Sequence, residues 1–168
     1  MGAFDYRKVM LCIAALQVQA MKQYPGGAVS VKAFPHFWQT YQTPPYFTNR
    51  LGAIGVTSDS EELDAAGFDV QMRLNNGPIT SGEQGEKEAQ LQLWAGWIIQ
   101  YFNEHEILQS KAYPDGADNI DYARISASPQ GIVAIQGVST ETQEFGIDFT
   151  LRVTARNCIG YDYNGDGY

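Results

Sequence analysis

Between positions 67 and 108 the hydrophobic pattern changes period once, from that of a strand to that of a helix, and this change constrains the chain more than any other feature. In Gly67-Phe-Asp-Val-Gln-Met-Arg-Leu-Asn75, the apolar Phe68, Val70, Met72 and Leu74 alternate with Asp69, Gln71, Arg73 and Asn75. Alternation of this kind gives a strand one buried and one wet face. After Asn76-Gly77-Pro78, the residues Leu91, Trp94, Ala95, Ile98 and Phe102 recur at three- and four-residue steps, on one side of a helix that starts near Gly82. Ser81 is placed to cap it, Gln84 stands at the capping-box position, and Glu83, Glu86 and Glu88 lie where the positive end of the helix dipole favours them. Burying Trp94, Ile98 and Phe102 is worth roughly 1.5–3 kcal/mol each, and the nearest apolar surface is the strand that feeds the helix. The expectation is a helix lying on a sheet.

Size and charge then bound the rest. A chain of 168 residues suits one domain with its own core, and 44% hydrophobic with 18% charged residues is the composition of a folded chain rather than a disordered one. The net charge of -8 opposes a sequence-independent grip on nucleic acid, which depends on Lys and Arg displacing counterions, and it opposes anionic membrane surfaces too. No apolar run approaches the ~20 residues of a membrane-crossing helix. Cys12 and Cys158 lie far apart and fit neither a zinc site nor a redox pair, so both are expected to be unpaired. Arg7-Lys8 and the apolar stretch after it have some features of a secretory signal. Asp5 before the basic pair, and the helical spacing of Val9, Cys12, Ile13, Leu16 and Ala20, favour an amphipathic first helix instead.

Taken in order, that helix spans about residues 5–23 and is stopped by Tyr24-Pro-Gly-Gly27. Residues 28–33 alternate as a strand, and the aromatic and proline-rich stretch 34–50 reads as a long excursion that begins Phe34-Pro-His-Phe-Trp38. A short strand is expected at 51–57, followed by a polar loop that leads back to the strand at 67–75. Beyond the long helix, residues 111–119 are turn chemistry, and 121–126 and 132–138 read as two strands of a hairpin closed by Ser128-Pro-Gln-Gly131. The last strand is the clearest: Phe145, Ile147, Phe149, Leu151, Val153 and Ala155 alternate with Asp148, Thr150, Arg152 and Thr154, over a length that suits the middle of a sheet. Short links favour antiparallel pairing. The fold expected is α+β, a mostly antiparallel sheet with two main helices packed on one face, in a single domain over 1–159 with a C-terminal arm at 160–168.

No constellation of catalytic residues stands out, and no enzyme is expected. Gly77 and Gly82 have P-loop glycine spacing, but Glu83-Gln84 stands where that loop needs Lys and Ser or Thr, so the glycines are assigned to a turn. Asp162-Tyr-Asn164-Gly-Asp166-Gly167 matches half of a calcium loop and lacks the closing acid, so neither a metal site nor a cofactor is expected. His36 and His105 are isolated, and Asp115, Asp118 and Asp121 form an acidic run assigned to a solvated loop. The aromatics Phe34, Phe37, Trp38, Tyr41, Tyr46 and Phe47 suit a sugar- or protein-binding face, but packing on the domain or on a neighbouring subunit is favoured.

The order of elements carries a likeness to a known family. The opening helix, the strand Phe68-Asp-Val-Gln-Met-Arg-Leu74 before Leu93-Trp-Ala-Gly-Trp-Ile-Ile-Gln-Tyr-Phe102, and closing strands that end in Phe145-Gly-Ile-Asp-Phe-Thr-Leu-Arg-Val153 resemble the tail-terminator (tail-completion) proteins of long-tailed bacteriophages. The likeness does not extend to the stretch 34–47 or to the tail 160–168, and no functional residue is carried over from it. It implies a structural virion protein at the head-tail junction, assembled in the host cytoplasm. Its copies would form a ring, typically a hexamer, that caps the tail tube, meets the neck or connector proteins, and passes DNA without binding it specifically. Acidic loops such as 115–121 would suit the channel. The excursion and the C-terminal arm are the expected contact segments of such a ring. Another neck or head-completion protein, and a carbohydrate-binding module using Trp38 or Tyr41, are the alternatives.

Overall fold

The structure, a computed structural model, describes residues 6–37, 43–58, 64–78, 84–105, 108, 120–125, 132–136 and 143–156. The chain opens with α1 (Tyr6–Lys22), whose buried residues Val9, Cys12, Ile13, Leu16 and Ala20 are those selected by the periodicity, joined by Met10, Ala14, Gln17 and Met21. The turn that follows the helix closes at Gly27, whose φ of 123° is open to glycine and strained for other residues. Just beyond this turn, the Val29 amide reaches back to the Met21 carbonyl at 2.9 Å.

The strands β1 (Lys32–Phe34), β2 (Tyr46–Ser58) and β3 (Asp64–Pro78) precede α2 (Gln84–Glu104); β4 (Ile120–Ile125), β5 (Ile132–Gln136) and β6 (Gln143–Arg156) follow it. All six strands form one sheet in the order β1-β2-β3-β6-β4, with β5 also on β6. Every pairing is antiparallel except that of β1 with β2. The fold is α+β with a mostly antiparallel sheet, as the sequence leads one to expect.

Register fixes the core. Phe68, Val70, Met72 and Leu74 of β3 stand opposite Val153, Leu151, Phe149 and Ile147 of β6, and Phe47 of β2 stands opposite Leu74. All of these are buried and share one face. The apolar stripe of α2, made of Leu91, Trp94, Ala95, Ile98 and Phe102 with the added Tyr101, belongs to the same cluster as this face and as α1. From α1, the Tyr6 ring meets Phe68 edge-on at 5.0 Å. The two helices are tied side by side: Trp97 Nε1 donates to the Ala20 carbonyl at 2.8 Å and Gln19 Nε2 to the Tyr101 hydroxyl at 2.7 Å.

Three local expectations are corrected. The hairpin expected over 121–126 and 132–138 does not form, because β4 and β5 both pair with β6, one after the other along a single edge. Ile125 stands opposite Leu151 and Ile132 opposite Ile147, so the chain spends seven steps where β6 spends four. β4 and β5 run in the same direction along β6, and residues 126–131, with Ser128-Pro-Gln-Gly131, lie outside the described residues. The excursion over 34–50 is also shorter than expected: β2 starts at Tyr46, immediately after Pro45, rather than near Leu51. Its physical role is that of a crossover, since β1 runs parallel to β2 and parallel neighbours cannot be joined by a tight turn. Finally, the strand expected at 28–33 is confined to Lys32–Phe34. The capping residues 81–83, the turn at 111–119 and the arm at 160–168 lie outside the described residues.

Candidate interaction surface

The face of the sheet opposite the core is built by the other residues of the same alternation. Asp69 of β3 stands opposite Arg152 of β6, Gln71 opposite Thr150, and Arg73 opposite Asp148, while Arg50 of β2 stands opposite Gln71. Cross-strand partners of opposite charge are within reach of each other, and here they pair in alternating sense. Arg73 grips Asp148 with two bonds, Nε to Oδ1 at 2.7 Å and Nη2 to Oδ2 at 2.9 Å. Arg152 reaches Asp69 with one, at 2.9 Å. The bond to Asp148 holds the Arg73 pKa above its ordinary value. Arg50 Nη2 donates to Gln71 Oε1 at 2.6 Å.

Part of this polar face is roofed by the chain leaving β1. The Phe37 ring lies 5.1 Å from the guanidinium carbons of both Arg50 and Arg73, close enough for a cation–π attraction to each. Phe34, beside Thr48 in the register, meets Tyr46 edge-on at 6.4 Å. Beneath this roof Tyr46, Thr48 and Asn75 are buried although they belong to the polar alternation. Pro44, just before β2, lies against Gly77 of β3, whose φ is 86°; a Cβ there would come within 2.8 Å of Pro44 Cγ. Asn76 and Lys87 then pin the start of α2, since Lys87 Nζ donates to the Asn76 carbonyl at 3.3 Å and Asn76 Nδ2 to the Lys87 carbonyl at 3.4 Å.

Both edges of the sheet remain open among the described residues. On one side, β1 pairs only with positions 46–48 of β2, leaving 49–58 with no neighbour. The sequence there ends Leu51-Gly-Ala-Ile-Gly-Val-Thr-Ser58, without a charge or a proline to discourage another strand. On the other side, β4 and β5 have β6 on one flank and nothing on the second.

The residues singled out for chemistry do not converge. His36 is exposed, with its ring 6.1 Å from that of Phe34. His105 stacks on Tyr101 at 3.9 Å, and its Nδ1 lies 2.7 Å from the Tyr101 carbonyl. Cys12 is a buried free thiol whose Sγ donates to the Leu108 carbonyl at 2.7 Å. Burial pushes its pKa up to about 11 against the opposing pull of Lys8. Gly77 lies within the last residues of β3, at the irregularity between Asn75 and Pro78. Cys158, Gly82, Asp115, Asp118, Trp38, Tyr41 and the tail residues Asp162 to Asp166 lie outside the described residues. Of the aromatic group, Phe34, Phe37, Tyr46 and Phe47 pack on their own domain.

Sequence reading missed the buried amide pair of Gln17 and Asn49, each donating to the other at 2.8 Å. Gln17 stands one helical turn from both Ile13 and Ala20 on the apolar side of α1, and a polar residue in that place was the available signal. No protein-family model matches the chain, and no curated protein sequence does.

Proposed function

We propose that this chain is a ring-forming structural protein of a bacteriophage, a tail terminator that sits at the head-tail junction, caps the tail tube and lets DNA pass. The order of elements carries the reading: a first helix, paired long strands, a long helix fed directly by β3, and a closing strand inserted beside β3. Charge agrees with it, because a net -8 repels a duplex that must slide without being held. So does the surface. Its polar side chains are engaged with one another in cross-strand pairs, an arrangement suited to meeting other proteins.

The test is to purify the full chain and measure its mass by light scattering, alone and with tail tube protein, and to image it by electron microscopy. Closed rings with a central hole that bind the end of a tube are the expected result. Monomers under all of these conditions would remove the reading. Rings that bind only the portal side of the junction would assign the chain to the neck instead.

A further inference from the structure

The two open edges of the sheet differ in direction as well as in sequence. Counting across the pairings, β2 and β6 run one way, and β3, β4 and β5 run the other. A second copy placed beside the first, with its sheet continuing in the same sense, therefore brings its β4 and β5 antiparallel to the first copy's β2. Antiparallel pairing is the more stable kind, and joining two different edges is the heterologous contact from which rings are built. The lengths also suit: β4 and β5 contribute six and five residues in one line, against the open stretch 49–58.

An unpaired edge of this length is a hazard unless it is guarded. Natural guards are charges, prolines and coverage, and 51–58 has neither of the first two. The short β1 covers the end of β2 nearest the crossover and stops there.

We infer that the edge of β2 at 49–58 is a docking site for the β4–β5 edge of a second copy of this chain, so that the sheet runs continuously from one subunit to the next. This inference rests on the ring reading and adds which surfaces make the ring. Main-chain hydrogen bonds supply the affinity, and the irregular spacing of both edges supplies register. β2 has a shift between Leu51 and Ile54, and the partner edge changes its register on β6 between β4 and β5.

Amide hydrogen exchange on the unmodified full chain, assembled and dilute, tests it first. Expected is a slowing of about tenfold or more on assembly at 49–58 together with 120–125 and 132–136. Cysteine cross-linking in a Cys158→Ser background tests it independently. Copies carrying Thr57→Cys, mixed with copies carrying Arg124→Cys or Val133→Cys, positions whose register places them on the same face of the sheet as Thr57, should give mixed disulfide dimers on oxidation, whereas Thr57→Cys copies alone should give none. Rings whose 49–58 amides exchange as fast as in dilute protein would overturn the edge pairing and leave the ring reading intact. Dimers formed between two Thr57→Cys copies would overturn it in favour of β2 meeting itself. Monomers with both edges exchanging freely would overturn the edge pairing and the ring together.

Discussion

Gln17 and Asn49 exchange two amide hydrogen bonds, each 2.8 Å, inside the seam between α1 and β2, and Asn49 also donates to the Phe34 carbonyl at 2.9 Å. Both side chains are fully buried. One amide thus fastens the first helix, the edge strand β1 and the sheet together. Removing one partner strands the other, at a cost of about 1–3 kcal/mol. Gln17→Leu should lower the urea midpoint accordingly, and the double variant Gln17→Leu, Asn49→Leu should lose less than the sum of the single losses. Additive losses would show that the two amides act separately.

The two ion pairs on the outer face should differ in strength. Arg73 holds Asp148 with two bonds and is about as sheltered as its partner, whereas Arg152 has one bond to Asp69 and is 43% exposed. Double-mutant cycles are expected to give about 0.5–1 kcal/mol for Arg73–Asp148 and less for Asp69–Arg152, with both reduced in about 1 M salt. A larger coupling for the Arg152 pair would contradict this order.

Gly77 and Gly96 predict opposite responses to alanine. At Gly77 the φ of 86° and the nearness of Pro44 leave no room for a Cβ, so Gly77→Ala should destabilise by more than about 1 kcal/mol. Gly96 is exposed within α2 with nothing near its Cβ position, so Gly96→Ala should stabilise by up to about 1 kcal/mol. Thermal melts of the two variants, compared with the parent, check both signs.

Cys12 makes stability depend on alkaline pH. The unfolded thiol ionises near the ordinary value of 9.0, while burial keeps the folded one neutral up to about 11. The folded chain therefore holds the proton longer, and this contribution is intact below the unfolded value and is lost as pH climbs towards the folded one. By pH ~11 the loss should reach roughly 2–3 kcal/mol beyond that of Cys12→Ala, whose curve lacks this component. Parallel curves for parent and variant in urea titrations across this range would exclude it.

How far the fold can be read from sequence depends on whether its causes are local. The faces of β3 and β6 were legible because alternation records burial directly, and the positions expected inward at 68–74 and 147–153 are inward. The stripes of α1 and α2 were legible for the same reason. What failed was pairing: Ser128-Pro-Gln-Gly131 has turn chemistry, yet β6 takes both flanking segments as neighbours, and nothing within a few residues of that turn records the choice. The extent of β2 was hidden because two prolines just ahead of it suggested an irregular segment. As for the candidate surface, the charged alternation of Asp69, Arg73, Asp148 and Arg152 was visible, but which carboxylate each arginine meets is a matter of register. The open stretch 49–58 becomes an edge only once β1 is known to be three residues long.

β6 comes after every other described strand in the chain, yet it lies inside the sheet, with β3 on one flank and β4 and β5 on the other. During synthesis, one hydrogen-bonding edge of β3 and the whole of β4 and β5 must therefore wait for a partner that leaves the ribosome later than they do. A nascent chain stalled before position 143 would hold three strands in search of one, a species prone to clump and a natural client for a chaperone.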